Sequence, residues 1–398
     1  MNVRGIRALC FSAAGVALTS LALAGTASAS EAHQDVSTNT PHMAAYALRV
    51  SPAGASRTIW AYVVNAKFGT VTPINTATNK AAKTIKVGSD PVAIAITPNG
   101  NTAIVVNYGS GTVTPIDTAT NKAGKAVKVG KDPVAVAITP NGKTAYVVNE
   151  GSGTVTPVPI SGGRTGPALA VGSDPTQMAI TPNGVTGYVV SSRSDTVTPI
   201  HLASDTALPP ISFAYSSVNA IAIAPNGKIA YATISAEGVL AEIQTSTNTV
   251  SGYVGSGPDP VNIVIAPAGS TAYVVNTRWA VAHNQGGVTA IRIPAGTSGQ
   301  PIVLTGQSPR EIAIAPDGKA VYVLVGNTAT PIPTATGKAG KAIHVGNDPI
   351  ALAITPNSGT VYVVNHNSDT VTPISTATNK ARSAIIVGVA PVAIAIMP

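Results

Sequence analysis

Residues 132–172 read DPVAVAITPNGKTAYVVNEGSGTVTPVPISGGRTGPALAVG, and their reading decides the fold. Val134 to Ile138 alternates small and branched residues, the pattern of a short strand. Thr139-Pro140-Asn141-Gly142 is a turn, with the glycine free to take positive φ. Thr144 to Asn149 is a second strand, and Glu150-Gly151-Ser152-Gly153 reverses the chain. Thr154 to Pro159 is a third, and Ala168 to Val171 a fourth, ending at Gly172. Four short strands in a period of about 40 to 45 residues predict one blade of a β-propeller.

The pattern recurs along the chain. Pro91, Pro133, Pro175, Pro260, Pro309, Pro349 and Pro391 each precede an alternating apolar run, and Ser217 stands in the same place in a degenerate copy. The steps between them are 42, 42, 42, 43, 49, 40 and 42 residues. Tyr62, Ile104, Tyr146, Tyr188, Tyr231, Tyr273, Tyr322 and Tyr362 open Y-V-V-N-like segments and give the same count of eight. A helical solenoid is excluded, because no window has 3.6-residue apolar spacing and proline recurs every few positions. A parallel β-helix needs coils of about half this period. Proline also falls in the third strand at Pro73, Pro115, Pro157, Pro199, Pro331 and Pro373. It cannot donate to a ladder, so each blade is expected to splay there, or its fourth strand to pair only beyond it.

Tyr146-Val147-Val148-Asn149, Gly153-Thr154-Val155-Thr156-Pro157, Thr118-Ala119-Thr120-Asn121-Lys122, Val129-Gly130 and Thr139-Pro140-Asn141-Gly142 together resemble the YVTN-type β-propeller repeat. The resemblance covers about residues 44 to 398. It implies a secreted or cell-surface propeller, often of seven blades and often without known activity. Eight units and proline in the third strand depart from it. The fold expected is therefore all-β, a propeller of four-stranded blades, eight in number, with seven as the alternative. Residues 391–396 form an inner strand with no second, third or fourth strand after it. Residues 60–88 have those three but only a poor first strand around 47–50. Pairing the last strand with the first blade closes the ring and removes its edges.

Residues 1–29 read as a secretory signal peptide. Arg4 and Arg7 form the basic region, residues 8–24 are apolar or small, and Ala27-Ser28-Ala29 is the cleavage signal. Residues 30–43 read as a flexible leader and 44–398 as the propeller. No later stretch is long and apolar enough to span a bilayer as a helix. The single cysteine, Cys10, leaves with the signal, so the secreted chain has no disulfide, thiolate metal site or cysteine nucleophile. Loss of Arg4 and Arg7 takes the formal charge from +8 to +6.

In a propeller with the first strand innermost, the loops from the fourth strand to the next first strand (d–a) share a face with the b–c turns. The a–b turns and c–d loops share the other. The d–a loops place Asp90, Asp132, Asp174, Asp259 and Asp348 around one channel mouth. They form either an acidic ring for a cationic group or a set of turn aspartates, and repetition in blade after blade favours turns. The 49-residue step carries one insertion, Asn276 to Gly287, in a b–c position. Its Arg278, Trp279, His283 and Asn284 are ligand candidates, because function is grafted where a repeat breaks and an exposed tryptophan stacks on a sugar, a base or a partner side chain. Lys80, Lys122, Lys338 and Lys380 mark the opposite face, as a basic rim or as solvated turns.

His33, His42, His201, His283, His344 and His366 show no metal-ligand spacing, and no nucleophile-elbow or phosphate-loop motif is present. No catalytic residue, cofactor or metal is expected. The reading is a monomeric binding or scaffold module, extracellular or wall-associated, for a protein, glycan or wall polymer. One alternative is a lyase or lactonase with its site at the channel mouth, drawing on Arg278, His283 and His366. The other is polyanion or nucleic-acid binding through the basic rim, nucleic acid being the weaker version.

Overall fold

The computed structural model describes residues 58–398, except 214–216, 281–284, 294 and 305–307, and gives only the backbone of 279, 280 and 285. The stretches read as signal, leader and first propeller residues up to 57 lie outside it. Eight antiparallel sheets make up the described chain. Their innermost strands are Pro91–Ile96, Pro133–Ile138, Pro175–Ile180, Val218–Ile223, Pro260–Ile265, Pro309–Ile314, Pro349–Ile354 and Pro391–Ile396. Each touches the next in that order, and the last touches the first, so the strands form a closed inner ring. We number the blades in chain order from the one containing Trp60–Asn65. Eight blades is thus correct and seven is not.

Closure follows the expected route. Pro391–Ile396 pairs antiparallel with Trp60–Asn65, with Ala61 opposite Ile396 and Val64 opposite Ala393. In blade 3 the strands are Pro133–Ile138, Thr144–Asn149, Thr154–Pro159 and Leu169–Ala170. The degenerate fifth copy needs a correction. Val218, not Ser217, takes the proline place, since Val218 sits opposite Ile234 as Pro260 sits opposite Asn276. Ser217 instead takes the aspartate place. Its carbonyl accepts from Ser235 as that of Asp259 accepts from Thr277.

The apolar interior is a series of seams. Both faces of each blade are covered, so strand b is apolar without interruption. In blade 4, Tyr188 and Val190 pack with Ala230 and Ala232 of blade 5. Its Val189 turns the other way, packing with Tyr146 and Val148 of blade 3. Full burial of each such side chain contributes roughly 1.5 to 3 kcal/mol.

Two polar fasteners cross these seams, and they explain why two sequence motifs travel together. The first joins the tyrosine of Y-V-V-N to the asparagine of T-A-T-N-K in the following blade. Tyr62 Oη donates to Asn121 Oδ1 at 2.6 Å, Tyr322 to Asn379 at 2.7 Å and Tyr362 to Asn79 at 2.5 Å. Tyr146 uses Asp205 and Tyr188 uses Asn248. Each acceptor stands in the left-handed region, φ from +47° to +57°, which asparagine and aspartate tolerate. Where the tyrosine is missing in blade 2, which has Ile104, its partner is missing too, since the matching blade 3 loop is Ser161-Gly162-Gly163-Arg164.

The second fastener is the asparagine that ends Y-V-V-N. Asn107, Asn149 and Asn365 are fully buried and accept from the backbone N–H of Gly88, Gly130 and Gly346 in the incoming d–a loop. Their Nδ2 groups donate to Thr114, Thr156 and Thr372. A Cβ on Gly130 would lie 2.6 Å from Asn149 Cγ, so only glycine passes there.

The third-strand prolines act much as expected. Each proline carbonyl accepts one bond from the outer segment, as Pro73 does from Ala82 and Pro115 from Gly124. The proline nitrogen on that same edge has no hydrogen to give. Strand d accordingly splits into Lys80–Ala81 and Ile85–Lys86 in blade 1, and into Lys122–Ala123 and Val127–Lys128 in blade 2. Blade 5 has Glu242 in the proline place, and its fourth strand runs unbroken over Thr249–Gly255. Blade 6 has Ala290 there and is still split, around Gly299.

Gly337 has φ +60° and stands where Asn379 stands in the next blade, and the hydroxyl of Tyr273, which takes the place of Tyr322, has no hydrogen bond among the described residues. Gly337→Asn is expected to install the missing fastener and raise stability by about 1 kcal/mol, a gain that Tyr273→Phe removes. Chemical denaturation of the two single variants and the double variant checks this as a cycle.

Burial pushes Tyr188, Tyr322 and Tyr362 up to about 12. Tyrosines of the unfolded chain ionise near 10, so the stability is full below pH 10 and is lost between about pH 10 and pH 12. Phenolate absorbance and far-ultraviolet dichroism, followed together, are expected to change in one step across that window.

Candidate functional site

The d–a loops and b–c turns come together on one face. Asp90, Asp132, Asp174, Asp259 and Asp348 all lie there, each with φ between +46° and +56°. Four of the carboxylates have partners that differ from blade to blade. Asp174 holds Arg193 Nε at 2.5 Å, Asp259 accepts from Thr277 Oγ1 at 2.5 Å, and Asp348 holds Arg310 at 2.9 Å. Asp132 has Lys131 Nζ at 3.9 Å. A left-handed backbone at all five aspartates, with varied carboxylate partners, favours the turn reading of these residues. Their fields still overlap. Burial, then Asp174 and Asp132, raise the Glu150 carboxyl, with Arg193 opposing. Burial, Asp132 and Glu150 raise the Tyr108 phenol.

The insertion is a longer hairpin rather than a loop. Strands Thr271–Ala280 and Gln285–Arg292 continue past the usual turn position, with a register break between Asn276 and Ala280. Arg278 lies on the extension and is exposed. The Trp279 side chain, His283 and Asn284 lie outside the described residues. His366 is in blade 8, its Nδ1 3.1 Å from the Pro391 carbonyl oxygen.

Beside the hairpin an open groove of about 750 Å³ runs between blades 5 and 6. Ser217, Ser235, Glu237, Asp259 and Arg278 line it with Gly238, Gly257 and Pro258. The structure thus brings Asp259 and Arg278 together, while Asp90, Asp132, Asp174 and Asp348 stay on other blades. The repeat breaks on both sides of the groove. Blade 5 has Ser217 in the aspartate place, and blade 6 has the added hairpin. Ser235 Oγ, in its lining, donates to the Pro260 carbonyl, as does Asn219 Nδ2. Ser217, Ser235 and Glu237 are absent from the sequence-derived candidates. The misaligned fifth copy hid Ser217, and Glu237 sits in an ordinary turn.

Two exposed aromatics were likewise missed. Phe68 is 58% exposed and Tyr108 37%, at the b–c turns of blades 1 and 2 on this face. Lys67 Nζ lies 5.8 Å from the Phe68 ring centre. The signal was available, since no other b–c turn among the described residues carries Phe or Tyr.

Residues 35–207 match the family described as YNCE-like beta-propeller. Over that stretch the chain is similar to the YNCE-like β-propellers. The match is consistent with the YVTN-type repeat read from the motifs. Many solved structures share the propeller fold. Hydrazine synthase from Kuenenia stuttgartiensis is 23% identical with a TM-score of 0.61, over 73% of this chain and 97% of that one. Dihydro-heme d1 dehydrogenase NirN, in complex with DHE, is 12% identical with a TM-score of 0.69, over 84% and 74%. AztD from Citrobacter koseri is 13% identical with a TM-score of 0.63, over 85% and 98%. Identities this low speak for the fold alone. No curated protein matches the sequence. No helix among the described residues is long and apolar enough to cross a membrane, and no cluster of three or more metal-binding side chains occurs among them.

Ala390 stands in the aspartate place before Pro391 with φ +53°. Alanine is strained there by roughly 1 kcal/mol or more. Ala390→Asn is expected to raise the melting temperature. Asp90→Asn is expected to leave it nearly unchanged, and Asp90→Ala to lower it. A drop for Asp90→Asn as large as that for Asp90→Ala would show that the charge matters rather than the turn.

Proposed function

We propose that this propeller is a non-catalytic binding module that takes a protein or glycan partner in the groove between blades 5 and 6. The observation that carries the reading is the coincidence of two departures from the repeat at one seam, Ser217 and the lengthened hairpin, with the groove they border. Glu237, Asp259 and Arg278 offer both signs of charge, and Ser217 and Ser235 offer hydroxyls. That set suits a polar, hydrogen-bonding ligand, and the hairpin with Trp279 supplies the place for an apolar anchor. The signal read over residues 1–29 supports display outside the cytoplasm, with the chain acting as a monomer. The scaffold is stiff and evenly fastened, so the variable turns carry the recognition.

The enzymatic alternative has less support. The described histidines, His201, His344 and His366, sit on blades 4, 7 and 8, and none lines the groove.

A glycan and peptide array probed with the full chain tests the proposal. Arg278→Ala and Glu237→Gln are expected to weaken whatever binds by about tenfold, the size of one lost charged contact. Melting temperature should stay unchanged. Binding untouched by both changes and by Trp279→Ala would overturn the groove as the site.

A further inference from the structure

The two faces of the propeller differ in charge, and the second face is the more one-sided. The a–b turns place Lys143, Lys228 and Lys319 on it, each just after the Asn-Gly or Asp-Gly of its turn. All three are exposed. Because these turns leave the innermost strands, they form an inner set of cations. The c–d loops add an outer set, Lys80, Lys122, Lys338 and Lys380, exposed in the same way. The sequence reading weighed only the outer set. The fold adds the inner one to the same side.

Carboxylates are scarce here. Among the described residues, Asp117, Asp205 and Asp317 are the ones at the a–b and c–d ends of the blades. Each is engaged locally. Asp117 accepts from the backbone and hydroxyl of Thr120, Asp205 accepts from Tyr146, and Asp317 accepts from the backbone of Lys319 with its Nζ at 3.8 Å. The other lysines of this face make no ion pair among the described residues. On the d–a face, in contrast, cations alternate with carboxylates, as in the pairs Arg193–Asp174 and Arg310–Asp348.

We propose that the a–b face is a docking surface for a linear polyanion that lacks aromatic bases. Dispersed lysines are compact point charges, suited to a repeating anion rather than to a fork-shaped carboxylate contact. Two sets at different distances from the centre let a chain touch several blades at once, and the attraction sums over those contacts. The exposed aromatics speak against a nucleic acid. Phe68 and Tyr108 lie on the opposite face and Tyr253 on the outer strand of blade 5, which leaves at this face the half-buried Trp60, at the start of blade 1's strand Trp60–Asn65, too little for successive bases to stack on. Docking by this face directs the groove between blades 5 and 6 away from the polymer. The inference does not depend on what the groove binds.

The full chain is titrated with long-chain polyphosphate, dextran sulfate and oligothymidylate across a salt series. Binding to polyphosphate or dextran sulfate that falls steeply with salt is expected. Whichever of the two binds more tightly assigns the anion as phosphate or as sulfated sugar. Lys143→Glu/Lys228→Glu/Lys319→Glu is expected to weaken it about tenfold or more and flatten the salt dependence. Lys67→Glu/Lys86→Glu/Lys128→Glu changes the net charge equally, away from this face, and is expected to stay within about twofold. Equal losses in the two sets would overturn the proposal, since net charge alone would then suffice. Tighter binding of oligothymidylate than of either polymer would overturn it in favour of nucleic acid, and no binding at low salt would also overturn it. Circular dichroism confirms folding, and the same three positions changed to glutamine give a second, milder variant.

Discussion

The antiparallel pairing of Pro391–Ile396 with Trp60–Asn65 is the contact on which the ring depends. Every other blade takes its four strands from one continuous stretch, but blade 1 borrows its innermost strand from the far end of the sequence. Without that ladder the first and eighth blades would each show an apolar face to water. With it, Tyr362 of blade 8 reaches Asn79 of blade 1 through the same hydrogen bond that joins blades 1 and 2. Closure therefore makes the last seam equivalent to the others, not a scar.

Seam equivalence is what the sequence repeats encode. Tyrosine, alternate valines and a terminal asparagine on one strand serve three distinct neighbours, and each is constrained by a residue some 20 to 60 positions away. Period, strand order and closure were legible from the sequence because they follow from local alternation and turn chemistry. The linkage between Y-V-V-N and T-A-T-N-K was not. Both motifs were visible, but their contact crosses from one blade to the next, and nothing in a single unit reveals it. The fifth copy misled for a related reason. Without a proline as marker, one residue of slip moves Ser217 from the aspartate place to the proline place, and the structure settles it by the partner of the Ser217 carbonyl.

The candidate site was half legible. The 49-residue step announced the inserted hairpin and Arg278 within it. The groove needed a second departure, in blade 5, about sixty residues earlier in the chain, where Ser217 lines it opposite Arg278 of blade 6. Repeat proteins hide such sites because each irregularity, taken alone, resembles drift. Two irregularities matter when the ring sets them side by side.

The closing ladder also sets an order of events. Residues 61 and 396 must meet across nearly the whole described chain, and contacts between such distant partners form slowly. The strand that completes blade 1 is also the one that follows all other blades in the sequence. A chain still being made can therefore assemble the middle blades, each from local pairings, while its first three strands wait with an open edge. The molecule is an open row of blades, joined seam by seam, until that strand arrives, and becomes a closed ring only then.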